Sequence, residues 1–345
     1  MELYQLDPCT DTRWRRFLDR HPDASIFHTP GWLDALRRTY GYQPVVYTTS
    51  SPRGEMVNGQ VFCRIKSWFT GRRLVSLPFS DHAALLMNGS DELGSLLAQL
   101  QKEVDGKTCK YVEIRPTDTD FPIPVRFCSS DIYYWHKLPL DLELPTLFRN
   151  FHKNCVQRKI RRAQREKLDY SEGRSETHLQ HFYRLLLLTR RRHHLPPQPI
   201  SWFRNLAECL GEAMKVRIAS KNGRPLAAII TLSYKKSMVY KYGASDANYM
   251  NLGGMAALLW KTIEEAKSCA FAELDMGRSD CANSGLITFK ERWGGQRRTL
   301  TYCRYPLAAP VNPNPWRAEA AKRVFALVPP AILPTAGTFL YRHVG

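Results

Sequence analysis

Two neighbouring stretches decide how this chain is read: VYKYGASDANYMNLG at 239–253 and ALLWKTIEEAKSCAFAELDMGR at 257–278. A strand is expected to run into Ser245-Asp246, followed by a loop, an amphipathic helix and a second strand with a central Glu273. The same order stands earlier in the chain, as VSLPFSDHAALLMNG at 75–89 and SLLAQLQKEVDGKTCKYVEIRP at 95–116. There too a strand ends in Ser-Asp (Ser80-Asp81), a loop and an amphipathic helix follow, and the next strand carries a central Glu113. Chance could supply a repeated Ser-Asp, but not readily the repeated order of elements, so the chain reads as an internal duplication.

Working outward, the 345 residues suit two domains, and 43% hydrophobic with 24% charged residues is enough to bury two cores. Helices are expected at TRWRRFLDRH, at PGWLDALRRTYGY between Pro30 and Gly41, and at ELGSLLAQLQKEV, with strands at PVVYTTS and QVFCRIKSW between the second helix and the third. The second half offers one long basic helix, FHKNCVQRKIRRAQREKL, then THLQHFYRLLLLTRRRH and SWFRNLAECLGE, with strands at KVRIAS, LAAIITLSY, MVYKYGAS, FAELDMG and RTLTYCRYP. Alternating strands and helices place the fold in the mixed α/β class. The expected division is 1–145, 146–306, and a proline-rich linker and amphipathic tail over 307–345.

The net charge of +18 points to an anionic partner: nucleic acid, a phosphorylated small molecule or an anionic membrane surface. A solvated basic surface would give the same charge. The nine cysteines include no CxxC pair, which argues against zinc and thioredoxin chemistry and for reduced thiols in the cytoplasm. The start MELYQLDPCT has no basic region followed by an apolar one, so no secretory signal is expected, and no apolar run is long enough to span a bilayer.

Four places can carry chemistry. In GLITFKERWGG, Lys290 stands beside Phe289 and Trp293, with Gly285, Gly294 and Gly295 around them. A lysine among large aromatics can place its charge on a developing oxyanion, although it can also be a surface lysine beside core rings. In LDMGRSD, Asp275, Arg278 and Ser279 follow the end of a strand, where α/β folds gather ligand residues. Asp275 can orient an amine or take its proton, or merely close a turn with Arg278. In the basic helix, Arg158, Arg161, Arg162 and Arg165 share a face opposite Val156, Ile160 and Ala163, with Glu166 as the one acid, a pattern suited to phosphates. In NLGGMA, Asn251, Gly253 and Gly254 open a helix whose N–H groups can hold a donor's pyrophosphate, or which is a plain glycine-rich helix entry. Tyr242 and Asp81, at the ends of the repeated strands, complete the candidate substrate residues. The histidines offer little. No metal site is expected, and GxSxG, Walker and HExxH motifs are lacking.

The series SIFHTPGWLDAL, SLPFSDH, YVEIRP, NCVQRKIRRAQREKL, KYGASD, ELDMGRSD and GLITFKERWGG resembles the FemAB-like proteins of the GNAT superfamily over about residues 1–305. The resemblance implies tandem GNAT-like (acyl-CoA N-acyltransferase) domains with the active site in the second. It implies an acyl- or aminoacyltransferase with no permanently bound cofactor, using acyl-CoA or aminoacyl-tRNA as cosubstrate. The acceptor would be an amine or hydroxyl of a lipid-linked glycan or peptidoglycan precursor. Phe289-Lys290 matches the pair that steadies the reacting carbonyl in peptidoglycan members, and Arg161 or Arg162 the arginine that meets lipid-linked phosphate. Between Leu168 and Lys215 there is room for two ordinary helices but not for the long helical hairpin by which some members engage tRNA.

In the tail, FALVPPAILP is too short and too broken by prolines to cross a membrane. It can lie at the cytoplasmic face of the inner membrane, with Trp316, Arg323, Tyr341 and Arg342 near headgroups, or pack over the first domain. Two other classes of function stand beside the enzyme: a nucleic-acid-binding protein, favoured by the charge alone, and a non-catalytic scaffold at the membrane.

Overall fold

The computed structural model describes residues 2–87, 89–117, 127–306 and 333–344. These residues fall into two compact units, one holding 2–133, 299–306 and 338–344, the other 134–298 and 333–337. The division thus falls at 133/134, ahead of the boundary expected at 145/146, and residues 299–306 join the first unit.

The first unit begins with β1 (Tyr4–Leu6), α1 (Thr12–Arg20), α2 (Pro30–Tyr40), β2 (Gln43–Thr48), β3 (Gln60–Ser67) and β4 (Gly71–Val75). α3 (Ser90–Asp105) then leads to β5 (Val112–Ile114). Asp11 caps α1 by accepting from Arg13 N–H, and the helix buries Trp14, Phe17 and Leu18. Burying such a side chain contributes about 1.5–3 kcal/mol each. Pro30 starts α2 and Gly41, in the left-handed conformation at φ 72°, ends it, as the sequence predicts.

β6 (Cys128–Pro139) leads to the second unit: α4 (Leu144–Asn150), α5 (Arg158–Arg165), β7 (Asp169–Gly173), α6 (Glu176–Arg192), α7 (Ile200–Leu210), β8 (Met214–Lys221), β9 (Arg224–Tyr234) and β10 (Ser237–Ser245). Then come α8 (Gly254–Ser268), β11 (Glu273–Asp280), α9 (Ser284–Arg292) and β12 (Gln296–Tyr305), with α10 (Leu333–Val344) near the C-terminus. Strands run in the order β1-β2-β3-β4-β5-β12 in the first unit and β6-β11-β10-β9-β8-β7 in the second.

The duplication read from the sequence is a repeated strand–helix–strand crossover. β4 and β5 pair in parallel around α3, with Leu74 opposite Val112, and β10 and β11 pair in parallel around α8, with Ser237 opposite Glu273. The two central glutamates have diverged. Glu113 is buried between Arg115 (2.8 Å) and Arg304 (2.6 Å), whose charges hold its carboxyl below the usual range against the opposing effect of burial. Glu273 is half-buried and pairs with Lys137 at 2.8 Å.

Three strands escaped the sequence reading: β1, β7 and β6. The single long basic helix is also corrected. Phe151 leaves α4 in extended conformation, and its ring packs on Trp260 and Trp293. Gln157 Nε2 donates to the carbonyls of Arg149 (3.2 Å) and Phe151 (2.7 Å), so the break is hydrogen-bonded. The chain re-enters helix through one wide π-type turn, Lys153–Gln157, which runs into α5.

Of the tail, the residues from Thr338 onward pack on the first unit. Tyr42 donates to the Tyr341 carbonyl at 2.9 Å, and the Tyr341 ring lies 5.8 Å from that of Phe79, tilted against it. Trp316 and Arg323 lie outside the described residues. Among the described residues, no helix is long and apolar enough to cross a membrane.

Candidate functional site

β10 and β11 stay in register over only 237–239 and 273–275. Beyond that point β10 carries an irregularity between Tyr240 and Tyr242, and β11 passes through Gly277 at φ 72°. At the C-terminal side of this parallel pair, the second unit holds a pocket of about 450 Å³. Its wall is built by the start of α8 (Gly253, Gly254, Met255, Ala256), by Cys155, Val156 and Lys159, by Ala227 and Ser245, and by Gly285, Thr288, Phe289, Arg292 and Trp293 of α9 and its end.

The start of α8 is set by close packing. Asp246 accepts from Asn248 N–H at 3.0 Å and pairs with Arg224 at 3.1 Å, fixing the turn that precedes the helix. Gly253 then takes φ 83°, and a Cβ there would stand 2.3 Å from the Lys159 carbonyl oxygen. Only glycine lets α5 press its backbone against this corner. The helix has no acidic residue in its first turn and no side-chain cap. Its first N–H groups therefore face the pocket with the positive end of the helix dipole, beside the exposed cations of Lys159 and Arg292. The arrangement suits a pyrophosphate or phosphodiester. Of the expected donor residues, Gly253 and Gly254 line the pocket, whereas Asn251 is exposed and its neighbour Met250 lines it instead.

Of the catalytic candidates, Phe289 lines the pocket and the other two lie behind it. Lys290 is 2% exposed, and its ammonium donates to the carbonyls of Gly277 (2.7 Å) and Arg278 (2.9 Å). Asp275, also 2% exposed, accepts at Oδ1 from Trp135 Nε1 and from Gly277 N–H, both at 2.7 Å. Asp275 thus belongs to a cluster larger than the Asp275–Arg278 pair considered from sequence. Arg278 enters it through its carbonyl, and Ser279 is buried with its hydroxyl unpartnered among the described residues. Gly294 and Gly295 return their N–H groups to the carbonyls of Glu291 and Lys290, closing α9.

Two members of this cluster were missed. Trp135 and His136 come from β6, the strand next to β11. His136 is fully buried, and neither ring nitrogen has a hydrogen-bond partner among the described residues. Burial, and after it the charge of Lys290, holds its pKa down to about 4 against the pull of Glu291, so the ring is neutral at pH 7. The run YYWHK at 133–137 was the available signal.

The basic residues of α5 separate. Arg158, Arg161 and Arg165 line a shallow cleft with Lys153, Asn154, Gln157 and Gln164, and Arg161 also lies 5.5 Å over the Phe148 ring. Arg162 instead pairs with Glu166, which also receives Lys221. Tyr242 packs its ring on Phe203 and accepts from Trp202 Nε1 at 2.9 Å, under α6 and α7 and away from the pocket wall. Asp81 belongs to the first unit, where its carbonyl accepts from Tyr302 at 2.6 Å.

Comparison with known proteins bears on this geometry. Residues 150–291 match the family model described as an acetyltransferase (GNAT) domain. A UDP-N-acetylmuramoylpentapeptide-lysine N(6)-alanyltransferase of Weissella viridescens is 28% identical over 101 residues, a match spanning 29% of this chain and only 30% of that protein's length. Among solved structures, FemX covers 94% of this chain and 100% of its own at a TM-score of 0.68 and 14% identity. A tandem GNAT protein from the clavulanic acid biosynthesis pathway covers 88% of this chain and 97% of its own at a TM-score of 0.54 and 10% identity. At those identities the structures speak to fold, and the fold they share with this chain is that of tandem GNAT proteins.

Proposed function

We propose that this chain, which belongs to the FemAB-like proteins of the GNAT superfamily, moves an acyl or aminoacyl group onto an amine or hydroxyl of a cell-envelope glycan or peptidoglycan precursor. The donor is a phosphate-bearing carrier, acyl-CoA or aminoacyl-tRNA. The observation that carries the reading is the uncapped start of α8 at Gly253-Gly254, opening with Lys159 and Arg292 onto the pocket where β10 and β11 part. Phosphate would lie on those N–H groups, and the carbonyl end of the donor would run along Phe289 towards the parted strands. Transfer is direct, within a complex of donor and acceptor. The amine or hydroxyl attacks the donor carbonyl, the bond to the carrier's thiol sulfur or ribose oxygen breaks, and the nucleophile's proton passes to that departing sulfur or oxygen.

In this scheme Asp275, Trp135 and Lys290 fix the turn of β11 beside the reacting group, and the α5 cleft receives the acceptor's phosphates. Such an enzyme works in the cytoplasm on a substrate anchored at the inner membrane.

Calorimetric titration of the full chain with coenzyme A tests the donor half. Saturation near one per chain that weakens in Lys159→Gln/Arg292→Gln supports an acyl-CoA donor. No binding, together with transfer from charged tRNA, assigns the aminoacyl reading. If neither donor binds at the pocket, the proposal fails.

A further inference from the structure

The largest exposed aromatic side chains among the described residues of the first unit lie together, and none of them lines the transferase pocket or the α5 cleft. Trp68 is 77% exposed, Phe69 73% and Phe339 53%. Trp68 lies 6.0 Å from Phe69 and 6.0 Å from Phe339, ring centre to ring centre, so the three form one patch. Two of them sit at the tip of the β3–β4 hairpin and the third on α10.

Hydrogen bonds tie the hairpin tip to the end of α10. Ser67 Oγ accepts from Phe69 N–H (3.2 Å) and Thr70 N–H (2.9 Å) and meets His343 Nδ1 at 2.9 Å. The His343 carbonyl in turn accepts from Thr70 Oγ1 (3.2 Å) and Arg73 Nη2 (2.8 Å). The helix end thus buttresses the hairpin tip, and the rings are presented to water by a fixed scaffold. Holding such rings in water is unfavourable by the area they expose, and a contiguous exposed apolar patch marks a surface that something covers.

The surrounding charge says what that is. Lys66 and Arg72 stand opposite each other across the hairpin, one residue pair behind the tip, and both are exposed. The aliphatic stem of Lys110 lies over Gly71, and Arg342 is exposed on α10 beside His343. Neither 64–73 nor 333–344 contains an aspartate or glutamate. A Trp-Phe tip flanked by long cations, on two segments that carry no acid of their own, matches the boundary of an anionic bilayer, where aromatic rings enter the headgroup level and lysine and arginine reach the phosphates.

We propose that the β3–β4 tip and the outer face of α10 form a docking site for an anionic phospholipid surface, with Trp68, Phe69 and Phe339 entering the interface and Lys66, Arg72, Lys110 and Arg342 neutralising headgroups. The site shares Arg342 with the interfacial tail considered from sequence, but it centres on the β3–β4 tip, which that reading did not include. It stands independently of the transferase reading, and a lipid-anchored acceptor would give it a purpose.

Co-sedimentation of the full chain with vesicles tests it. One set is phosphatidylcholine with about one-third phosphatidylglycerol, the other phosphatidylcholine alone. The wild-type chain is expected to sediment with the anionic set, and less as salt is raised. Trp68→Ser/Phe69→Ser should lose at least tenfold in affinity, and Lys66→Gln/Arg72→Gln about fivefold per charge removed. Because these residues are exposed, the variants should melt like the wild type. Arg15→Gln/Arg16→Gln, on α1, is the control for net charge and should bind normally. The proposal is overturned if the wild type ignores anionic vesicles, if the tip variant binds undiminished, or if the α1 control loses as much as the tip charges. It is equally overturned if the tip variant instead abolishes self-association of a chain that does not bind vesicles.

Discussion

The carboxylate of Asp275 and the ammonium of Lys290 grip the same residue from opposite ends: Gly277 gives its N–H to Asp275 Oδ1 at 2.7 Å, and its carbonyl accepts from Lys290 Nζ at 2.7 Å. Both groups are 2% exposed, so each depends on these partners to offset the loss of water. The glycine they hold is where β11 turns away from β10. The charge pair therefore shapes the opening between the strands.

Replacing Lys290 by methionine keeps the bulk and removes the charge. The carbonyls of Gly277 and Arg278 lose their charged donor, and the buried cluster around Asp275 loses a cation. A loss of about 3 kcal/mol of stability is expected, with turnover falling alongside. Urea unfolding and single-turnover transfer measured on one preparation separate the roles. Unchanged stability with lost turnover would assign Lys290 directly to the oxyanion, the reading its place beside Phe289 suggests from sequence.

A second prediction concerns acid. Folding holds the pKa of His136 down to about 4, chiefly by burial, whereas the unfolded chain takes a proton near 6.5. Below about 6.5 the unfolded state binds the proton the folded state refuses, so stability falls as pH drops through the window from 6.5 to 4. The loss attributable to His136 should reach about 2–3 kcal/mol at pH 4.5. His28, buried in the first unit and pushed down to about 3, adds a slope of the same sign. In His136→Phe the difference in unfolding free energy between pH 7 and pH 4.5 should shrink by that amount. An unaltered slope would mean that the ring is hydrated or paired in solution.

How much of this was legible follows from particular residues. The parallel crossovers were readable because Ser-Asp, loop, helix and glutamate-bearing strand recur in order, and GLITFKERWGG marked the helix behind the pocket. β6 was not. Its start, CSSD, is polar, and its buried residues arrive only at Trp135 and His136, so no clean alternation announces a strand. With β6 missing, the partner of Asp275 and the buried imidazole had no place in the reading. The division of the basic face was hidden for another reason. Helical spacing puts Arg162 beside Arg158 and Arg161, but Glu166 one turn on claims it, and Lys221, which joins that pair, is distant in sequence.

Gly253→Ala tests the donor corner. The added methyl meets the Lys159 carbonyl at 2.3 Å, and φ 83° is unfavourable for any L side chain. Either α5 or the start of α8 must move. A cost of about 2 kcal/mol in stability and at least a tenfold loss of coenzyme A affinity by calorimetry are expected. Asn251→Ala, on the exposed side of the same turn, should leave affinity within about twofold. A binding loss confined to Asn251 would move the donor away from the helix start.

The α5 cleft supplies the sharpest separation of donor from acceptor. Arg158, Arg161 and Arg165 line it and Arg162 does not, although all four are exposed and share a helix. If the cleft holds the acceptor's phosphates, each of Arg158→Gln, Arg161→Gln and Arg165→Gln should raise the KM for a diphosphate-linked acceptor about three- to tenfold and flatten its dependence on salt. Arg162→Gln should change KM little, since its charge is committed to Glu166, and should show instead as a small loss of helix stability, a few tenths of a kcal/mol. Coenzyme A affinity should be the same in all four, because Lys159 and Arg292, which face the other pocket, are untouched. Equal effects of all four substitutions on donor and acceptor would show that the helix contributes only general positive charge. An effect on donor binding alone would place the carrier's phosphates on α5 and leave the acceptor to be sought elsewhere.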